Sequence, residues 1–270
     1  MKRRYFIALC AGWALLVARR VYAFCNPALV RLFSGGPDRV QIRPGPTPKL
    51  GNYFVQWFGH SSFLIQSGSQ TKVVTDPNLD VTPGIRADAV TVSNDHITHN
   101  NVGAVSGEPV ILRGITLRQT WNPIRTSIKD IMIVNLPSQR GPAWGAAANS
   151  IFVYEMGSLC LAHLGNLGHL LTPEQAKALH RVDVLMAPID AMTNLGFENV
   201  LKVVEQVRPP IVIPMHYDAA RQAERFADFV GDRYPIRRLK DSQLILSRPA
   251  LPASTEIFIL THPRSFFSWE

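Results

Sequence analysis

From residue 52 to residue 163 the chain is a series of short β-branched or aromatic runs separated by turn residues: "NYFVQWF", "SFLIQS", "TKVVTD", "AVTVS", "PVILRG", "ITLRQTW", "KDIMIVNL", "SIFVYEM" and "SLCLAHL". Runs of this length and composition predict strands, and the glycine-containing turns between several of them predict antiparallel hairpins. The later third changes character. "TPEQAKALHRV" opens with Thr172 as an N-cap, Pro173 in the first turn and Glu174 close behind, which suits the free N–H groups and positive end of a starting helix. The strand "VDVLMAPI", a helix through "GFENVLKVVEQVR", the strand "PIVIPMHY" and a helix through "AARQAERFADFVG" follow, with "QLILSR" and "EIFIL" as terminal strands. Strand-rich first, strand–helix alternation later, and no internal repeat: this order predicts an α/β fold of the αββα sandwich type, two mixed β-sheets flanked by helices.

A chain of 270 residues with 46% hydrophobic composition buries a substantial core and requires only one domain, placed here over 53–262. The formal charge is +8, but Lys2, Arg3, Arg4, Arg19 and Arg20 fall within the first 23 residues, which carry no acid, leaving +3 for the rest. Without a concentrated basic stripe interleaved with aromatics, the expected partner is a small molecule and no nucleic acid. The opening "MKRRYFIALCAGWALLVARRVYA" has a basic start, an apolar stretch and a small-residue end, which predicts a signal peptide over 1–23. Arg3-Arg4-Tyr5-Phe6-Ile7 is similar to a twin-arginine export signal. Export to a bacterial periplasm is the expectation, with membrane contact only through the leader if it is retained. Residues 24–52 are rich in Pro and Gly and read as an extended lead-in, and 263–270 as a tail. Cys25 and Cys160 can pair after export, although Cys160 in "SLCLAHL" reads better as a small buried hydrophobe.

Of the eight histidines, His60, His96, His99, His163 and His216 all fall where a predicted strand gives way to a loop. Strand ends in layered folds hold side chains rigidly while leaving the loops open to a ligand, so a shared site is the economical explanation. His180 and His262 occupy a helix end and the region before the tail and carry no expected chemistry. Ser61-Ser62 sits in no nucleophile elbow, and neither "SGGPDRV" nor "GPAWGAAANS" bridges strand and helix in the manner of a phosphate cradle.

Over residues 53 to 260 the sequence resembles the metallo-β-lactamase fold hydrolases, within the branch that includes the ascorbate-phosphate lactonase and the N-acyl phosphatidylethanolamine phospholipase D. The resemblance is carried by "WFGHSSFLIQ", "VVTDP", "VSNDHITH", "NSIFVYEMGSLCLAHLGNLGHLLTPEQ", "VDVLMAPID" and "IVIPMHY", in that order. It implies a four-layer fold and a metal-dependent hydrolase. The family's His-x-His-x-Asp-His loop falls on Asn94-Asp95-His96-Ile97-Thr98-His99, so one imidazole has become Asn94 and the carboxylate has become Thr98. In "HLGNLGH" the bridging aspartate is replaced by Asn166, while "PMHY" keeps His216.

Two divalent ions would bring four positive charges into a partly buried site, and carboxylates normally offset that charge; neutral amide and hydroxyl oxygens are weaker partners. One zinc needs less, since three imidazoles and a water suffice, with the water's pKa brought to roughly 7. The resemblance implies His96, His99, His163 and His216 as ligands, with His169 the alternative to His163, and Asn94, Thr98 and Asn166 lining a weakened second position. Asp95 is implied as general base, ligand-orienting group or substitute ligand, and His60 as a catalytic residue touching substrate or orienting a ligand. Asp76 reads as a turn residue near the site and Asp190 as a substrate contact. The implied reaction is attack of a zinc-bound hydroxide on an ester, lactone, amide or phosphodiester. The competing reading is a non-catalytic member that binds a ligand or partner through an emptied site. Specificity in such a scaffold belongs to loops, here 77–88, 100–109 and 136–149, the last containing Trp144.

Overall fold

The computed structural model describes residues 52–78, 84–141, 147–190 and 194–263. The expected leader, all but the last residue of the lead-in, all but the first residue of the tail, and Trp144 lie outside the described residues.

Strands β1 (Tyr53–Trp57), β2 (Phe63–Gln66) and β3 (Lys72–Thr75) form an antiparallel meander. A short ladder pairs β4 (Ile85–Arg86) in parallel with β6 (Val105–Ser106), while β5 (Ala89–Val92) and β7 (Val110–Arg113) extend the meander from the free edge of β3. These last pairings are parallel, not the hairpins expected from the turn residues, because the connections after β3 and β5 are long loops. Then β8 (Arg125–Ile128), β9 (Ile131–Gln139), β10 (Ala148–Met156) and β11 (Leu159–His163) run antiparallel as the start of a second sheet. Helix α1 (Pro173–Leu179), β12 (Val184–Pro188), α2 (Phe197–Val207), β13 (Ile211–Met215), α3 (Ala220–Val230) and β14 (Ile236–Arg238) continue that sheet in parallel. β15 (Gln243–Leu246) crosses back to β1, and β16 (Glu256–Ile259) inserts between β13 and β14. The six-stranded sheet is therefore ordered β15-β1-β2-β3-β5-β7 and the eight-stranded sheet β14-β16-β13-β12-β11-β10-β9-β8.

Local chemistry explains the layers. β12 ("VLMAP") and β13 ("IVIPM") are buried at every position, as parallel strands covered on both faces must be. β1 alternates buried and half-buried residues, placing Tyr53, Val55 and Trp57 on the inter-sheet face. The three helices lie in connections between parallel strands of the larger sheet, a kind of connection that is in general right-handed. There α2 buries Val200, Leu201, Val203, Val204 and Val207, and α3 buries Ala223, Phe226, Ala227 and Val230, each an apolar stripe at helical spacing. Thr172 and Gln175 close a reciprocal capping box that starts α1. One large apolar cluster fills the space between the sheets and beneath the helices; a smaller one, with Leu64, Val74, Val90 and Val92, lies under β4 and β6.

"ITLRQTW" departs from the expected strand. Ile115 and Trp121 make a single bridge, Thr116 and Thr120 bond across the turn, and Leu117 is 94% exposed, because the turn needs those threonine bonds more than sheet packing needs Leu117. Cys160 is buried as expected but disulfide-bonded rather than a free hydrophobe. Among the described residues no helix is long and apolar enough to cross a membrane. The loops that follow β1, β3, β5, β12 and β13 carry His60, Asp76, His96 with His99, Asp190 and His216 respectively, and His163 is the last residue of β11.

Candidate metal centre

The turn after β3 places Asp76 with a left-handed φ of 39° and a carboxylate that is almost wholly buried. Its Oδ1 accepts from Ser93 N at 2.6 Å, and its Oδ2 accepts from Ser93 Oγ and lies 2.7 Å from His99 Nδ1. Burial pushes this carboxyl above its ordinary pKa, while His163 and the Ser93 bonds oppose the rise. On the far side, Asp190 Oδ2 lies 2.9 Å from His216 Nδ1, somewhat off the line a hydrogen bond prefers. With each Nδ1 directed at a carboxylate, both rings are set to carry their proton there and to present a bare Nε2.

Those two Nε2 atoms face each other at 3.2 Å. Two lone pairs at that distance repel unless something positive lies between them. Two nitrogens bound at 2.0–2.1 Å to one tetrahedral ion stand about 3.3–3.4 Å apart, so the spacing fits a shared cation. His60 completes the set. Its ring centroid is 3.9 Å from that of His216 and 5.4 Å from that of His99, its Nε2 is buried without a hydrogen-bond partner among the described residues, and its Nδ1 is 3.4 Å from Asp218 Oδ1. Ligand atoms of His60, His99 and His216 all lie within 4.8 Å of one another.

Burial first, then the neighbouring imidazoles His216 and His99, lowers His60 to about 3. Burial likewise holds His99 well below the usual imidazole range. At neutral pH both are in the neutral form that binds a metal. Backbone geometry fixes the group at a cost: His60 (φ 50°) and His216 (φ 63°) both adopt left-handed conformations, which disfavour residues with a Cβ by roughly 1 kcal/mol or more each. They are tied together where His216 N donates to His60 O at 2.8 Å, an oxygen that also accepts from Trp57 Nε1 at 3.0 Å.

The structure thus brings together His60, His99 and His216, and arranges the other sequence-selected residues around them. His163 is turned away: its Nε2 donates to Ser61 O at 2.8 Å and its Nδ1 accepts from Gly165 N at 3.1 Å, occupying both ring nitrogens. His96 is half-buried, with its ring centroid 6.5 Å from that of His99 and its Nδ1 2.9 Å from Thr98 Oγ1. Asn94 is buried and shapes the loop, donating to Ser93 Oγ and accepting from His96 N. Asp95 is exposed and held by Asn100 Nδ2, itself bonded to Arg113. Asn166 is buried; its backbone N donates to Asn149 Oδ1, and its Oδ1 has no hydrogen-bond partner among the described residues. His169 accepts from Gln139 N and donates to Leu170 O, away from the cluster. His180 is exposed, and His262 packs edge-on against Trp57.

Sequence reasoning missed three contributions. Asp76 and Asp190 appeared as a turn residue and a substrate contact, yet they orient two imidazoles; only their positions after strands signalled it. Arg140, one residue beyond β9, places a half-buried guanidinium whose field reaches His96 and His99, and nothing in "LPSQRGPAW" marked it.

A family model described as a Beta-lactamase superfamily domain matches residues 54–216, and the chain belongs to that family. It is similar to a metal-dependent hydrolase of Archaeoglobus fulgidus, 26% identical over 200 residues that make up 63% of this chain and 86% of the relative. A metal-dependent hydrolase of Methanosarcina mazei is 22% identical over 227 residues, 72% of this chain and 95% of the relative. Among solved structures, a zinc-dependent hydrolase of the metallo-beta-lactamase superfamily from Thermotoga maritima superposes with a TM-score of 0.62 at 24% identity, covering 77% of this chain and 98% of that one. A metal-dependent hydrolase from Parabacteroides distasonis gives 0.58 at 16% identity, covering 81% and 98%. The fold is the metallo-β-lactamase fold, two mixed sheets with flanking helices.

Proposed function

We propose that this chain is a metal-dependent hydrolase that works with one zinc ion held by His60, His99 and His216. The observation that supports it most is the pair of Nε2 atoms at 3.2 Å, each on a ring whose other nitrogen faces a carboxylate. Three imidazoles suit zinc and leave a fourth position open for water or substrate. When bound, such an ion supplies hydroxide from water near neutral pH and charge stabilisation for a developing oxyanion.

The chain's own groups do the rest. Asp76 and Asp190 keep the protons on Nδ1 of His99 and His216. The substrate is a small molecule with an ester, lactone, amide or phosphodiester bond, and the basic opening of the chain supports action after export. The neutral residues Asn94, Thr98 and Asn166 favour one ion over two, and they also support a second reading, a ligand-binding member without turnover.

Elemental analysis of the full chain and of its His60→Ala, His99→Ala and His216→Ala variants tests the proposal. About one zinc per chain, lost in each variant, is the expected result; no bound metal after zinc supplementation would overturn it. Hydrolysis of a panel of esters, lactones and phosphodiesters, abolished in the same variants, separates the enzyme from the binding module.

A further inference from the structure

We infer that the pocket between α3 and the ends of β14 and β16 binds an uncharged small molecule, a single ring or short chain carrying an oxygen acceptor. The pocket is separate from the three-histidine centre, and its occupancy does not depend on a metal.

Small residues open the space. Ala220 and Ala223 lie three apart on α3 and so share a face, set against the strand ends where Leu239 follows β14 and Leu260 follows β16. Leu239 N donates to Ile259 O at 2.8 Å, which carries the ladder of those two strands past β14 and fixes that wall by backbone. The result is a cavity of about 250 Å³. An apolar cavity of roughly 150 Å³ is enough for benzene, and drug-sized ligands take about 300–1,000 Å³, so the occupant is a single ring or a short chain.

Tyr217 sets the chemistry. It lines the cavity and is only 4% exposed, yet its hydroxyl makes no hydrogen bond among the described residues. A phenol is protonated at neutral pH and has one hydrogen bond to donate, which calls for an acceptor inside the cavity. Other polar side chains of the wall are already engaged. Arg238 Nη2 and Nε donate to Glu224 Oε2 at 2.7 Å and 3.0 Å, and Thr261 Oγ1 donates to Leu239 O at 2.7 Å. Because Glu224 and Arg238 neutralise each other, a charged ligand would lose hydration without gaining a counter-charge. An uncharged carbonyl or ether oxygen would accept from Tyr217, while the buried Ala223, Ile259 and Leu260 cover its apolar body. The ring of Tyr217 also stands 4.9 Å from that of Trp57, whose Nε1 donates to His60 O, so the pocket and the histidine cluster share a wall.

Cyclohexanone is the probe, titrated against the full chain by ligand-observed NMR, with cyclohexanecarboxylate and cyclohexylammonium as charged comparators. Saturable binding of the ketone, about five-fold or more tighter than either ion, is expected. Tyr217→Phe keeps the ring and removes the donor, and is expected to weaken the ketone by about three- to ten-fold. Ala220→Phe fills the cavity from an exposed position and should abolish binding, whereas Arg233→Gln, at a surface ion pair, should leave it unchanged. Coincident thermal unfolding of the variants separates lost binding from lost fold. No saturable binding to the wild type, binding that survives Ala220→Phe, equal affinity in Tyr217→Phe, or a charged comparator as tight as the ketone overturns the inference. His99→Ala is expected to lose zinc and keep the ketone, so failure of the metal reading and failure of the pocket are read separately. Ketone binding lost in His99→Ala would place the probe at the histidine cluster and overturn the pocket.

Discussion

Asp76 Oδ2 and His99 Nδ1 meet at 2.7 Å, both side chains shielded from solvent. The contact fixes which nitrogen of His99 faces the cluster, and Asp190 does the same for His216 from the opposite side at 2.9 Å. Carboxylates in this position set the tautomer and raise the basicity of a ligating ring, and losing one typically weakens metal affinity by about 10–100-fold. Asp76→Asn and Asp190→Asn are each expected to show that loss in competition with a zinc chelator. Asp76→Asn also disturbs the Ser93 bonds and should lower the melting temperature. An unchanged zinc affinity in Asp190→Asn would refute the orienting role.

The three histidines that the structure brings together differ from the set that the resemblance implies, and a pair of substitutions decides between the two as ligand sets. His60→Ala removes a ligand of the cluster and is expected to abolish zinc binding with little change in fold. His163→Ala leaves Ser61 O and Gly165 N without their partner in a buried place and is expected to cost about 1–3 kcal/mol while zinc stays near one per chain. Zinc lost from His163→Ala and kept by His60→Ala would restore the set implied by the resemblance.

The layered fold was legible because its signals are local: turn residues, apolar runs and helix starts such as Thr172-Pro173-Glu174 act within a few residues. "ITLRQTW" misled for the same reason, since its strand-like composition is outweighed by bonds between Thr116 and Thr120 that close a turn. His99 and His216 stood out as histidines at strand ends. The meeting of His60 with them depends on a backbone bond between loops 156 residues apart in sequence, from His216 N to His60 O, and no spacing rule reports it. His163 carried the same strand-end signal, yet its ring is used inside the fold. Arg140 had no signal at all, because its position follows from how far β9 runs before it meets Gly168.

Gly168 gives a direct check on that corner. A methyl group there would overlap the backbone of Gly141 at 1.9 Å, and backbone cannot yield as a flexible side chain can. Gly168→Ala is therefore expected to destabilise the chain by roughly 2 kcal/mol or more, about 2–4 °C in melting temperature for each kcal/mol at this size. A variant that melts like the wild type would mean that the loops at Arg140 and Gly168 are not packed as described.

Acid should unfold the zinc-free chain earlier than its carboxylates alone require. His60, His96, His99 and His163 all bind a proton less readily folded than unfolded, mainly because burial disfavours the charged ring. Between the ordinary imidazole value near 6.5 and the lowered folded values, His60 reaching about 3, the unfolded chain holds more protons than the folded one. Stability therefore falls as pH drops through that window. Asp76 acts in the opposite sense: its raised folded value makes its ionised form the costly one, so its contribution is retained at low pH and lost as pH rises through the folded value. Asp183, also raised by burial, acts in the same sense as Asp76, and two carboxyls against four imidazoles leave acid sensitivity dominant. Chemical denaturation of the zinc-free chain at pH 7.5, 6 and 5 is expected to show a steadily lower midpoint. Bound zinc should move the loss to lower pH, because protons must then displace the ion from neutral imidazoles. A midpoint independent of pH across this range would mean that the rings are solvated in the zinc-free chain, and the packed geometry of His60, His99 and His216 would not hold there.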